Sequence, residues 1–429
     1  MSSSSFSESA ASGPAAPARV LGTVDAVVIG MGAMVGAGVF AVLAPAARTA
    51  GGWLPLALVI AGVVAYCNAT SSARLAACHP QWGGTYVYGR ERLGAGWGYV
   101  AGWAFVVGKV ASCAAMALTF GVYVWPGEPR VGALALVAVM AAVDYRGVRL
   151  SVRVVRVLLV VVLAVLALVV VVAWGSGAAE VARLVRVERW HGLAAVLSSA
   201  GMLFFAFAGY ARIGTLGAEV RDPERVIPRA VGWALGIVLV VYGLVVASAL
   251  AVLGPGVLSR SSAPLADVVE AGGFGSLVPV VAAGAAVACA GVLLSLMLGT
   301  SRTVAVMAAD GHLPGWLGVV HSRSGAPHRA VVAVGAVVAV IVVVADVRGA
   351  IGFSAFGVLL YYAVANASAL RLGPAENRPF LAVPVVGLVG CVVLAFCLPL
   401  GSVLGGVLVI GAGAGVFVVR RWWSGELVG

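Results

Sequence analysis

The chain has 429 residues, of which 62% are hydrophobic and 10% charged, whereas a water-soluble domain carries about 25% charged and roughly 45–50% apolar residues. Too few polar side chains remain to cover a surface that meets water, which excludes a soluble enzyme. The formal net charge is +11, and Lys109 is the one lysine among 27 basic residues. The arginines lie between apolar runs and form no single patch, a pattern of membrane topology that argues against a nucleic-acid partner.

The chain opens on a stretch rich in Ser, Ala and Pro, with no positive segment ahead of an apolar one. Residues 1–23 therefore read as a disordered cytoplasmic tail rather than a cleaved signal. About twelve runs then approach the ~20 apolar residues that a membrane-spanning helix needs: residues 24–46, 53–76, 93–124, 131–145, 153–175, 192–214, 229–254, 273–309, 329–346, 350–370, 380–399 and 401–420. They are continuous, without the alternation of a membrane barrel, so an all-α membrane protein is expected. The third and eighth exceed the bilayer thickness and should tilt or project. Residues 421–429 form a second tail.

With the N-terminus in the cytoplasm, 19 arginines fall on the inner side and 7 on the outer. That asymmetry puts both termini inside a multi-pass protein of the cytoplasmic membrane. The first and sixth runs are each followed by four more, and each holds a glycine-interrupted stretch, Gly30 to Gly38 and Gly201 to Gly209. Five spans is an odd number, so a second copy must insert upside down. The expected organisation is an inverted repeat, 24–176 and 192–370, followed by two further helices over 380–420. Paired broken segments of this kind point to a transporter binding site.

Three segments carry the chemistry. In GMGAMVGAGVF (Gly30 to Phe40), four glycines fall within nine residues, each costing a helix about 1 kcal/mol relative to alanine. An unwound turn there would offer N–H groups to a carboxylate and carbonyls to an ammonium group or Na⁺; close helix packing is the alternative use of the same glycines. FFAFAGYARIGTLGAEVRDPERVIPRA (Phe204 to Ala230) passes from an aromatic stretch with Gly209 into a charged loop. There Arg212 and Glu219 are candidates for a gate or ion site. TSRTVAVMAADGHLPGW (Thr300 to Trp316) places the hydroxyls of Thr300 and Ser301 at the inner end of the long eighth run.

These segments, with PQWGGTYVYGRERLG (Pro80 to Gly94), resemble in order the amino acid–polyamine–organocation superfamily of permeases. Its members have a glycine-broken first helix, a P-x-x-G-G-x-Y-x-Y entry to the third, an F-x-F-x-G-Y/F sixth helix running into E-V-x-N/D-P-x-R-x-I-P, and R-D-G-x-L-P after the eighth. The resemblance covers residues 24 to 370 and implies a five-plus-five inverted-repeat fold of LeuT type with two extra helices, transporting amino acids or related amines. It implies that the N–H groups of Gly36, Ala37 and Gly38 hold the substrate carboxylate. The carbonyls of Met34, Phe205 and Ala208 would receive the ammonium beside the Gly209 break, with Phe205 or Tyr210 as the gating aromatic. Ala37 replaces a hydroxyl residue common in the family. Ala208 and Ala211 stand where many relatives carry an acid, which favours a neutral substrate over a cationic one.

Lys109 lies near the middle of the third run, where a charge costs about 2.5–3.5 kcal/mol on insertion scales. A lysine can give up its proton inside a protein and an arginine cannot, so Lys109 is the expected proton-coupling residue. Several relatives keep a buried lysine on the fifth helix in place of sodium, and the fifth run here has none. A lysine bonded to carbonyls of a broken helix is the structural alternative. The six scattered cysteines and five histidines form no metal-ligand spacing, and no nucleophile or His–carboxylate pair stands at membrane depth, so neither metal, cofactor nor catalytic residue is expected. The expected function is secondary active transport of an amino acid, with H⁺ ahead of Na⁺ as coupling ion and membrane lipid as surroundings. An amino acid/amine antiporter is the alternative within the class and a channel the alternative outside it.

Overall fold

A backbone inside a bilayer finds no water to bond, so it must satisfy its own N–H and C=O groups. In the computed structural model, which describes residues 21–79, 83–147, 151–185, 192–210, 213, 220–321 and 325–423, it does so almost entirely as helix. The helices are α1 (Thr23–Met34), α2 (Ala37–Ala50), α3 (Leu54–Cys78), α4 (Thr85–Leu93), α5 (Ala95–Val124), α6 (Pro129–Tyr145), α7 (Val152–Gly175) and α8 (Leu193–Phe207). They continue as α9 (Pro223–Leu258), α10 (Pro264–Ala271), α11 (Val278–Ala309), α12 (His328–Val344), α13 (Val347–Ala369), α14 (Ala382–Cys397) and α15 (Leu400–Trp423). Among the described residues there is no strand, only a single bridge pairing Leu21 with Val220.

All twelve apolar runs of the sequence fall largely on these helices. Among the described residues, eight stretches are long and apolar enough to cross a membrane: Ala37–Cys78, Ala95–Val124, Val152–Gly175, Leu193–Tyr210, Pro223–Leu258, Gly275–Ala309, Val347–Ala369 and Leu400–Trp423. The chain is thus a multi-pass membrane protein. Its outward faces agree with that: Val157, Val160 and Val171 on α7 are each more than 60% exposed, an arrangement suited to lipid rather than water.

The ends of the helices are set by familiar local chemistry. Proline opens α6, α9 and α10 and stands second in α3 and α11, where its missing N–H is no loss. Ser151 and Asp346 cap α7 and α13 by accepting from the N–H groups of Val154 and Gly349. The paired glycines ahead of α4 adopt φ of +128° at Gly83 and +55° at Gly84, a region closed to most L-residues. They turn the chain so that α4 can lie back against α5.

α5 is the central post, with α13, α11, α6 and α4 packed around it. It crosses α13 closely, where a Cβ on Gly357 would stand 2.9 Å from the Ala104 carbonyl oxygen and 3.1 Å from Gly108 Cα. Small residues let the two backbones touch, and the buried hydroxyls of Ser112 and Ser354 pair across the same contact at 2.6 Å.

Candidate functional site

Of the four glycines in the first broken segment, only one sits at the break. Gly30 and Gly32 lie inside α1, where Gly30 makes room for the Ile213 side chain. The helix stops at Met34, Val35 and Gly36 leave helical geometry, and α2 restarts at Ala37. The first N–H groups of α2, including those of Ala37 and Gly38, therefore lack intrahelical acceptors. Gly36, Ala37 and Gly38 are all buried. The second segment behaves alike: α8 runs unbroken through Gly201, which packs against the Leu394 carbonyl of α14, and tightens at Ala208–Tyr210 into a single 3₁₀ turn.

The two breaks meet. A Cβ on Gly209 would collide with the carbonyl of Ala33, and one on Gly38 would come within 2.9 Å of Ala206 Cα. Glycine at 209 and 38 is thus required by contact between backbones, so that the half-helix ends of both segments share one small volume. Met34, Ala37 and Ala208 are buried around it, and Phe205 is partly exposed.

Aromatic side chains from two other helices close this region. Tyr242, on α9, reaches both breaks: its hydroxyl lies 2.6 Å from the Met34 carbonyl oxygen and 3.1 Å from that of Ala206. Met34 also accepts from the Gly36 N–H at 2.8 Å. Tyr362, on α13, places its hydroxyl 3.5 Å from the Ala208 carbonyl, and its ring lies 5.0 Å from that of Tyr210. Tyr242 carries no motif and sits among alanines and valines, so only the fold reveals it.

Lys109 stands at the midpoint of the 30-residue α5 and is 7% exposed. Its ammonium lies 5.7 Å from the centre of the Phe105 ring. Among the described residues it meets no carboxylate and no carbonyl at hydrogen-bonding distance. Cys113, buried, lies one turn further along the same helix. Thr300 donates to the Leu296 carbonyl of its own helix at 2.7 Å, whereas Ser301 donates to the Asp144 carboxylate at 3.1 Å. Asp144 is 2% exposed at the end of α6. It is the penultimate residue of the fourth apolar run, and nothing in the neighbouring sequence marks it as buried. Arg212 and Glu219 lie outside the described residues.

At the end of the molecule where α4 lies, two ionic clusters fasten that helix. Arg90 contacts Asp310 at 3.3 Å, and the Tyr86 hydroxyl lies 2.5 Å from Asp310 and 2.8 Å from His312 Nδ1. Burial pushes the His312 imidazole below its ordinary value and the Tyr86 phenol above its own. On the other side Arg92 grips the Glu376 carboxylate with both terminal nitrogens and donates to His79 at 3.0 Å. The hydrogen bonds from Arg92 hold Glu376 below the usual carboxylate range. The sequence motifs around Pro80 and Thr300 are thus joined in space, by Tyr86 and Asp310.

Among the described residues no group of His, Cys, Asp and Glu is arranged to hold a metal. The amino acid permease family model matches residues 25–414. An uncharacterized transporter of Mycobacterium tuberculosis is 59% identical over 406 residues, covering 94% of this chain and 91% of that protein. A branched-chain amino acid permease of Bacillus subtilis is 24% identical over 350 residues, 75% of this chain and 74% of that one. The chloroplastic cationic amino acid transporter 7 of Arabidopsis thaliana is 28% identical over 384 residues, 82% and 65% of the two chains.

Proposed function

The chain belongs to the amino acid permease family, transporters rather than enzymes, and we propose that it carries a neutral amino acid across the cytoplasmic membrane by proton-coupled alternating access. The observation that carries this reading is the contact between two broken helices, Gly209 against Ala33 and Gly38 against Ala206. A zwitterion needs donors for its carboxylate and acceptors for its ammonium within a few ångströms. The start of α2 presents N–H groups of Ala37 and Gly38, that of Gly36 being taken by the Met34 carbonyl, and the ends of α1 and α8 present carbonyls of Met34, Phe205 and Ala208. Backbone groups so arranged recognise what all amino acids share, and leave the side chain to apolar neighbours.

The neutral charge of the cargo follows from what surrounds the breaks. Among the described residues no carboxylate lies at either of them, and the buried acid, Asp144, is engaged by Ser301. The relatives named for branched-chain and for cationic amino acids differ in cargo, so membership of the family leaves the cargo open, and the surroundings of the breaks are what support a neutral one.

In this reading residues 24–176 and 192–370 are the inverted repeats of a twelve-helix, five-plus-five arrangement, with both termini in the cytoplasm. The α1–α2 and α8 breaks close around the cargo while outer and inner openings alternate. Lys109 supplies the coupling: an ammonium without a carboxylate partner, at the midpoint of a buried helix, is poised to exchange its proton. With the Thr300 hydroxyl turned to its own helix and that of Ser301 to Asp144, support for Na⁺ is weaker.

The test is uptake of labelled amino acids by purified protein in liposomes, with a pH gradient or a Na⁺ gradient imposed separately. Accumulation of a neutral amino acid driven by the pH gradient is expected. Ohmic conductance without saturable uptake, or uptake only against a preloaded amine, would overturn the reading in favour of a channel or an exchanger.

A further inference from the structure

We infer that Tyr242 is a positioning residue that holds the two helix breaks together and thereby sets the spacing of the backbone segments, Met34 on one side and Phe205 to Ala208 on the other, at which an amine is received. The end of a helix leaves carbonyl groups without N–H partners, and in a buried site each must find a donor. Met34 is the last residue of α1 and Ala206 the penultimate residue of α8. One hydroxyl, from a third helix, lies within hydrogen-bonding distance of both, at 2.6 Å and 3.1 Å. Tyr242 is 2% exposed, and its ring is held by Phe207 at 5.2 Å between centroids. The hydroxyl is therefore aimed by packing, and not by the carbonyls it serves.

A single proton shared by two acceptors ties their positions to one point on α9. If α1 moved away from α8, the hydroxyl could follow only one of them: the Met34 carbonyl would keep the Gly36 N–H at 2.8 Å, and the Ala206 carbonyl would lose the Tyr242 donor. Tyr242 thus makes the two breaks and α9 move as a unit. The consequence for amine recognition rests on the function proposed above; the tie between the breaks does not.

Two measurements test it. Hydrogen–deuterium exchange on Tyr242→Phe should speed up in peptides covering residues 31–39 and 204–210 together, with α5 and α13 unchanged. In liposome uptake the same variant should raise KM for the transported amino acid about tenfold while Vmax stays within about twofold. Faster exchange at one break alone, uniformly faster exchange, or an unchanged KM would overturn the inference. Wild-type protein gives a reading that needs no variant: on warming, both peptides should lose protection in one step, and two separate steps would overturn the tie. If the wild type moves no amino acid, the proposed function fails and the exchange data still decide the role of Tyr242.

Discussion

Gly209 rests on the backbone of Ala33 so closely that a methyl group at position 209 would occupy the space of the Ala33 carbonyl oxygen. Neither partner is a flexible side chain that could swing aside. The two broken helices are therefore joined backbone to backbone, and glycine at this position is a requirement of their contact.

Gly209→Ala should separate the breaks. Overpacking of this kind typically costs about 1–3 kcal/mol, and uptake should fall more than tenfold together with a lowered thermal midpoint. Gly299→Ala is the matched control, since a Cβ there meets nothing within 4 Å. It should leave uptake unchanged and raise stability by up to about 1 kcal/mol, the helix propensity difference. Equal behaviour of the two variants would show that the contact at position 209 has no role.

Lys109 has no carboxylate partner among the described residues, so removing its charge leaves no orphaned acid beside it. Lys109→Met should fold, bind cargo and equilibrate it, yet no longer accumulate it under an imposed pH gradient. Lys109→Arg should fail equally, because a guanidinium does not release its proton. The measurement is liposome uptake with and without the gradient, and a wild-type response in Lys109→Met would exclude the coupling role.

The buried pair of Ser301 and Asp144 predicts a graded series in thermal unfolding. Asp144→Asn keeps an oxygen to accept from Ser301 and should lose less than about 1 kcal/mol. Asp144→Ala leaves that hydroxyl without its inter-helix acceptor and should lose about 1–3 kcal/mol. Equal losses would mean that the hydrogen bond contributes nothing between α6 and α11.

The cluster at α4 predicts a pH dependence. His312 is held below its ordinary value first by burial, with Arg90 and Arg420 acting in the same direction and Asp310 against them; Tyr86, Tyr99 and Phe417 surround the ring. The folded state thus favours the neutral imidazole. Its contribution is fully present above the unfolded value of about 6.5 and is lost as pH falls through the lower folded value. The thermal midpoint should fall between pH 7.5 and pH 5, and His312→Gln should flatten that fall. An unchanged slope in the variant would assign the dependence to other groups, His79 first among them.

Much of this protein is legible in its residues. The shortage of charge and the apolar runs need only transfer energetics, because a lipid-facing chain has no other way to satisfy its backbone. The broken segments were also visible, as glycines too dense for a helix to carry without reason. What composition and spacing left open was the use of each glycine. Gly30 and Gly201 look like Gly36 and Gly209 along the chain, yet the first two lie within helices and the last two at breaks. A glycine is defined by what fills the space of its missing Cβ, and that neighbour comes from a distant part of the chain. The same holds for polar groups: Tyr242 and Asp144 carry no local signal, since a buried hydroxyl or carboxylate takes its role from its partner. By itself the sequence determined that the chain lives in lipid and where its helices could fail. Tertiary packing alone decided which failures meet and which side chain ties them, because those depend on contacts between residues that lie far apart along the chain.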